Sequence, residues 1–153
     1  MSEHNKILVP VDYSPQSLIA LEQASNLAKV FNADITILKV AETSGMSGFF
    51  SSKHMDEFFA ALEVQLKDFA VEQEKKFGVK MTPLVKKGKV YEEVVETAEQ
   101  MKATFIVMGT SGSESGMKRF IGSNALRVVR SSKIPVITIK GTHHRKGCQN
   151  IIL

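Results

Sequence analysis

A single cysteine, Cys148, in 153 residues excludes an internal disulfide and suits a reducing compartment, so the chain is expected in the cytoplasm. No apolar stretch approaches the roughly 20 residues that a membrane span requires, and no membrane partner is expected. The opening residues, MSEHNKILVPVD, turn polar too soon for a signal peptide. Charge of one sign is scarce as well: 20 Lys and Arg against 16 Asp and Glu leave a net +4. Only Lys86, Lys87 and Lys89 cluster, without interleaved aromatics, so they read as a solvated rim and no nucleic-acid partner is expected. Catalytic patterns are missing too. There is no Ser-His-Asp set in a recognisable local context, no H-E-x-x-H, and no carboxylate pair beside a glycine loop. His143, His144 and Cys148 lie in a polar tail and read as solvated residues; no metal ligand and no catalytic residue is assigned.

Two common phosphate signatures are also absent. The Gly-Lys pair Gly88-Lys89 is followed by Val90, which excludes the Walker loop, and no strand is followed by G-x-G-x-x-G. What is present is an apolar run, Phe105 to Met108, that ends abruptly in Gly109-Thr110-Ser111-Gly112. Nine residues later, Gly122-Ser123-Asn124 opens the periodic segment Ala125 to Arg130. The pattern predicts a buried strand, a glycine-bearing loop and a helix with a small, polar first turn. Glycine lets backbone N–H groups approach a ligand closely. Unpaired N–H groups at a helix start favour an anion there. A capped helix after an empty loop fits the same residues.

In chain order, Lys6 to Val11 is a continuously apolar strand ending at Asp12. Ser14 and Pro15 are the N-cap and first position of a helix carrying Leu18, Leu21, Ala24, Leu27, Ala28 and Phe31, stopped at Asn32. Ala33 to Ala41 is a second strand, and Glu42 to Lys53 a long loop with Phe49 and Phe50 beside it. His54 to Phe77 is a long amphipathic helix with Phe58, Phe59, Leu62, Leu66, Phe69 and Ala70 on one stripe, terminated by Gly78. A strand over Met81 to Val85, a helix carrying Val90 to Met101, a strand over Thr104 to Met108, a helix over Ser123 to Ser131 and a strand over Val136 to Lys140 follow. Five strands alternating with four helices, without repeat or linker, predict one α/β domain with a parallel sheet and right-handed crossovers. Its expected extent is 1–141, leaving 142–153 as a tail.

The spacing G-x2-G-x9-G-S, spelled by Gly109, Gly112, Gly122 and Ser123, resembles the nucleotide-binding branch of the universal stress protein family. The likeness continues through GSNALRVVRSSKIPVITIK and returns at VPVD, Val9 to Asp12, covering nearly everything but the last dozen residues. Where this family often carries His and Arg around the second glycine, the chain has Ser111 and Ser113. The resemblance implies an open five-stranded sheet in the order 3-2-1-4-5, Rossmann-like, with helices on both faces. That order places the ends of strands 1 and 4 at the switch point where such sheets bind ligands. It further implies a site made of Pro10, Val11, Asp12, Val40, Met108, Gly109, Gly112, Gly122, Ser123 and Asn124. Adenine would lie beside Val40, with Val11 and Asp12 near base and ribose. The two glycine segments would hold the phosphates.

The cofactor so implied is ATP, or AMP or ADP, with Mg²⁺ steered by Asp12 through water. Asp12 as a turn acceptor, Val40 as plain core, and Lys118 and Arg119 as solvated loop charges are the structural alternatives. The expected role is a nucleotide-dependent stress-response regulator with weak ATPase activity at most, because no base or cationic finger accompanies the loop. The alternatives are a stress protein acting through protein contacts with AMP, cyclic AMP or no ligand, a slow ATPase, and a flavin carrier with only Tyr13 to stack. A homodimer through Val136 to Lys140 is expected, since that strand should lie at a sheet edge. The apolar end Asn150 to Leu153 would pack across a partner or back over its own sheet.

Overall fold

The computed structural model describes residues 4–42, 51–110, 123–140 and 151–152. Among these, strands β1 (Asn5–Pro10), β2 (Ala33–Ala41), β3 (Met81–Lys87), β4 (Phe105–Gly109) and β5 (Val136–Ile139) alternate with helices α1 (Pro15–Phe31), α2 (Ser52–Phe77), α3 (Val90–Gln100) and α4 (Ser123–Ser131). A two-residue strand, β6 (Ile151–Ile152), follows. The first five strands are parallel in the order β3-β2-β1-β4-β5, as expected, and β6 pairs antiparallel to β5. So β5 is not the outermost strand. Thr138 lies opposite Ile152 and Ile139 opposite Ile151, and the chain's end joins its own sheet.

Alternation along each strand builds two cores. Ile7 and Val9 of the first strand with Val11 just beyond it, Ile35 and Ile37 of the second and Val107 of the fourth face Ala20, Leu21 and Ala24 of α1 and Leu66 and Ala70 of α2. Leu8, Leu38, Val40, Ile106 and Met108 point the other way, onto Val94 and Ala98 of α3 and Ala125 and Val128 of α4. Each fully buried valine, leucine or isoleucine among them contributes about 1.5–3 kcal/mol by leaving water.

Helix ends follow local chemistry. The Ser14 hydroxyl caps α1 by accepting from the Ser17 N–H, with Pro15 next, and Asn32 closes the helix at φ 53°. Gly78 ends α2 at φ 71°, a left-handed position that disfavours a Cβ.

The helical stripes are only partly the buried ones. Leu18 and Phe31 stay about two-fifths exposed, whereas Ser17, Gln23 and Ser25 of α1 are buried. Gln23 is 1% exposed, and among the described residues neither polar atom of its amide meets a hydrogen-bond partner. An unpaired buried amide costs about 1–3 kcal/mol. Gln23→Met keeps the shape and removes that cost, so thermal denaturation should show a midpoint raised by about 2–4 °C for each kcal/mol recovered. An unchanged or lowered midpoint would mean that the amide is satisfied in solution.

Candidate functional site

The sheet order reverses at β1, whose neighbours β2 and β4 are reached in opposite directions. A crevice must open there, beyond the carboxyl ends of β1 and β4. A cavity of about 570 Å³ occupies it. Its walls include Pro10 at the end of β1 and Val11 and Asp12 just after it, Val40 near the end of β2, Met108 and Gly109 of β4, and Ser123 and Asn124 opening α4. Eight of the ten residues singled out from the sequence therefore come together. Gly112 and Gly122 lie outside the described residues, as do Ser111, Ser113, Lys118 and Arg119.

The turn from β1 into α1 is held by a compact set of bonds. Asp12 Oδ1 accepts the Ser14 N–H at 2.9 Å, and the Asp12 N–H donates to Ser17 Oγ at 3.4 Å. The Ser17 hydroxyl in turn donates to the Ser14 carbonyl at 3.0 Å. Between them Tyr13 sits at φ 64°, a conformation that a bulky side chain adopts at a cost of order 1 kcal/mol. Its ring is fixed edge-on against Phe69 at 5.2 Å, and burial raises its phenol above the ordinary value of 10.0. Asp12 thus serves the turn with one oxygen while its exposed side chain borders the cavity.

Backbone polarity at the tip of β2 follows from the ladder. The Val11 N–H donates to the Leu38 carbonyl at 2.9 Å, so the polar groups of Leu38 face β1. In a strand the polar groups of residues two apart point the same way. Those of Val40 consequently turn to the side where β1 has already given way to its turn. Those of Ala41 face β3, its carbonyl accepting the Gly88 N–H at 3.1 Å. An N–H and a C=O side by side at the crevice form one donor and one acceptor for a flat polar edge.

At the opposite end the β4 backbone passes close to α1. A Cβ on Gly109 would lie 3.1 Å from the Gln16 carbonyl oxygen. Glycine keeps that floor open.

The cavity also has walls that local motifs do not announce. Lys39 lines it, its ammonium 5.8 Å from the Tyr13 ring centroid, and brings a positive charge to the crevice. Phe58 and Leu62 enter from α2, and Val90 from the start of α3. The signal that could have found them is topological: each lies at or near the end of the sheet where the switch point opens. Among the described residues no group of three or more His, Cys, Asp or Glu could hold a metal ion. Nor is any helix there long and apolar enough to cross a membrane.

Comparison with known proteins matches residues 3–140 to the model of the universal stress protein family. The universal stress protein MJ0531 of Methanocaldococcus jannaschii is 34% identical over 142 residues, covering 90% of this chain and 82% of that protein. A universal stress protein solved in complex with cAMP superposes with a TM-score of 0.66 at 24% identity, over 90% of this chain and 98% of that one. One from Archaeoglobus fulgidus, in complex with dAMP, gives 0.63 at 21%, over 90% and 98%. These two likenesses show the shared fold. With the family model spanning both β1 and β5, the chain belongs to the universal stress protein family.

Proposed function

We propose that this universal stress protein binds an adenine nucleotide in the switch-point cavity and acts as a nucleotide-dependent stress-response regulator in the cytoplasm. The observation that carries the reading is convergence: eight residues from four separate segments line one cavity. The Val40 N–H and C=O suit the ring nitrogen and amino group of adenine. Ser123 and Asn124, at the start of α4, suit phosphate oxygens, and Gly109, Gly112 and Gly122 would let the backbone close on them. Ten residues then act together: Pro10, Val11, Asp12, Val40, Met108, Gly109, Gly112, Gly122, Ser123 and Asn124. Mg²⁺ fits this set as a companion of the phosphates. Among the described residues Asp12 and Glu42 are the carboxylates bordering the cavity, and Mg²⁺ is commonly held by one or two carboxylates together with ligand phosphates and water.

ATP with Mg²⁺ is the principal ligand of this reading. A monophosphate is favoured by a different observation, since the related proteins solved with cAMP and dAMP both hold monophosphates. Turnover should be slow or absent, well below the enzyme median of roughly 10 s⁻¹, because the sequence motif carries no recognisable base or arginine finger.

Calorimetry on nucleotide-stripped protein with ATP–Mg²⁺, AMP and cAMP, beside mass spectrometry of the nucleotide extracted from freshly purified protein, tests the proposal. One site per chain, with affinity between micromolar and low millimolar for at least one of these ligands, is the expected result. Absence of heat and of any thermal shift at millimolar concentrations of all three would refute it. A homodimer through β5 belongs to the same proposal, with β6 moving aside or sharing the contact.

A further inference from the structure

The adenine end of the cavity has walls on both sides of the sheet. Val40 and Val90 belong to the layer of α3 and α4. Phe58 and Leu62 stand one turn apart on α2, a helix whose Leu66 and Ala70 pack into the opposite layer. All four line the same cavity. A flat ring that meets the Val40 N–H and C=O edge-on lies near the plane of the sheet. Its two faces then look at the two layers, one towards Val90 and the other towards Phe58.

Phe58 is an odd residue to leave at a surface. It is 38% exposed, while its neighbour Phe59 is 9% exposed. The two rings meet edge-on at 5.6 Å and 69°. Phe59 is itself covered by the Lys87 ammonium, 4.6 Å from its centroid. Phe59, so covered, packs against the Phe58 ring and holds it where it lines the cavity. An aromatic face held in place beside a donor–acceptor pair is what a stacked base requires, since stacking is strongest where the ring is ordered in advance.

We infer that Phe58, backed by Leu62, is the stacking wall for the base and selects purine over pyrimidine nucleotides, resting on the adenine-nucleotide reading of the same cavity. A purine offers the larger face to the ring, so its loss falls more heavily on AMP than on CMP.

The chain contains no tryptophan, so Phe58→Trp installs a lone reporter at the proposed contact. Base–aromatic stacking commonly amounts to about fivefold to a hundredfold in affinity per base. In Phe58→Ala, AMP affinity should fall roughly tenfold and CMP affinity by less, so that the AMP-to-CMP ratio contracts. Phe58→Trp should keep near wild-type AMP affinity, and its emission should be quenched on saturation with AMP. Equal losses for AMP and CMP would assign Phe58 a merely structural role and overturn the inference. So would unchanged AMP affinity in the alanine variant, or tryptophan emission indifferent to bound AMP. Those results leave the cavity reading standing. Failure of the unmodified protein to bind AMP, cAMP and ATP–Mg²⁺ alike would remove both.

Discussion

Gly109→Val is expected to close the crevice and to destabilise the fold by about 2 kcal/mol, mid-range for a side chain forced into filled space. A Cβ at this position would lie 3.1 Å from the Gln16 carbonyl oxygen and 3.2 Å from its carbonyl carbon and Cβ. Two of those three atoms are backbone, and they cannot rotate away. The start of α1 cannot yield easily either, because the Ser14 and Ser17 hydroxyls and the Asp12 carboxylate tie it to the end of β1. The two methyl groups of valine must instead drive β4 and α1 apart, at the point where they frame the cavity. Thermal denaturation should show a midpoint about 4–8 °C lower, and calorimetry should show no nucleotide binding. Gly109→Ala asks its neighbours for only a few tenths of an ångström and should be milder on both counts. A valine variant with unaltered midpoint and affinity would show that this close approach is irrelevant to the site.

Ile137→Pro should be more damaging still, and to the fold rather than to any dimer. As the inner residue of an edge strand it could have been taken as a probe of assembly. The ladder says otherwise. The Ile106 N–H donates to the Pro135 carbonyl at 2.9 Å and the Thr110 N–H to the Ile139 carbonyl at 3.1 Å. Positions 135, 137 and 139 therefore turn their polar groups towards β4, and Val136 and Thr138 turn theirs outward. Proline at 137 strips a donor from the β4–β5 ladder and truncates a side chain that is 7% exposed. An acceptor left unpaired (about 1–3 kcal/mol) and the lost aliphatic burial (about 2 kcal/mol) together amount to roughly 3–5 kcal/mol. Thr138→Pro removes an outward N–H instead, on the side where β6 pairs. That variant should retain the β4–β5 ladder and change the association state if β5 carries a homodimer. Denaturation and sedimentation velocity on both variants distinguish the two roles. A stable, monomeric Ile137→Pro protein beside a dimeric wild type would invert the assignment.

The register that decides between these variants was beyond the reach of the sequence, although most of the elements were not. Continuous apolar runs such as Ile7 to Val9 and helical spacing such as Leu21, Ala24 and Ala28 mark buried strands and helix faces directly, because side-chain period follows backbone geometry. Element ends shifted by a residue or so at β1 and β4, where local preference is weak. Apolar spacing on α1 did not reveal that Gln23 and Ser25 would be buried while Leu18 and Phe31 stayed exposed, since tertiary packing chooses the face. β6 is only two residues long and carries no periodicity at all.

The site divides in the same way. Asp12, Gly109, Ser123 and Asn124 could be placed at the crevice because glycine and short polar residues mark strand ends and helix starts, which is where the switch point opens. Lys39, Phe58 and Val90 could not, because nothing local joins them. Only the switch in strand order brings β2, α2 and α3 to one opening.

The central position of β1 has a consequence during synthesis. Its partner on one side, β2, follows within a single helix, but on the other side Ile7 and Leu8 pair with Phe105 and Ile106. On a ribosome adding roughly 5–20 residues per second, those partners emerge on the order of 5–20 s later. Throughout that interval the nascent N-terminal half carries an apolar strand with one edge unmatched, open to association with any neighbouring chain. Substitutions that weaken the β1–β4 seam should accordingly reduce the yield of soluble protein more than they lower the melting temperature of the molecules that finish folding.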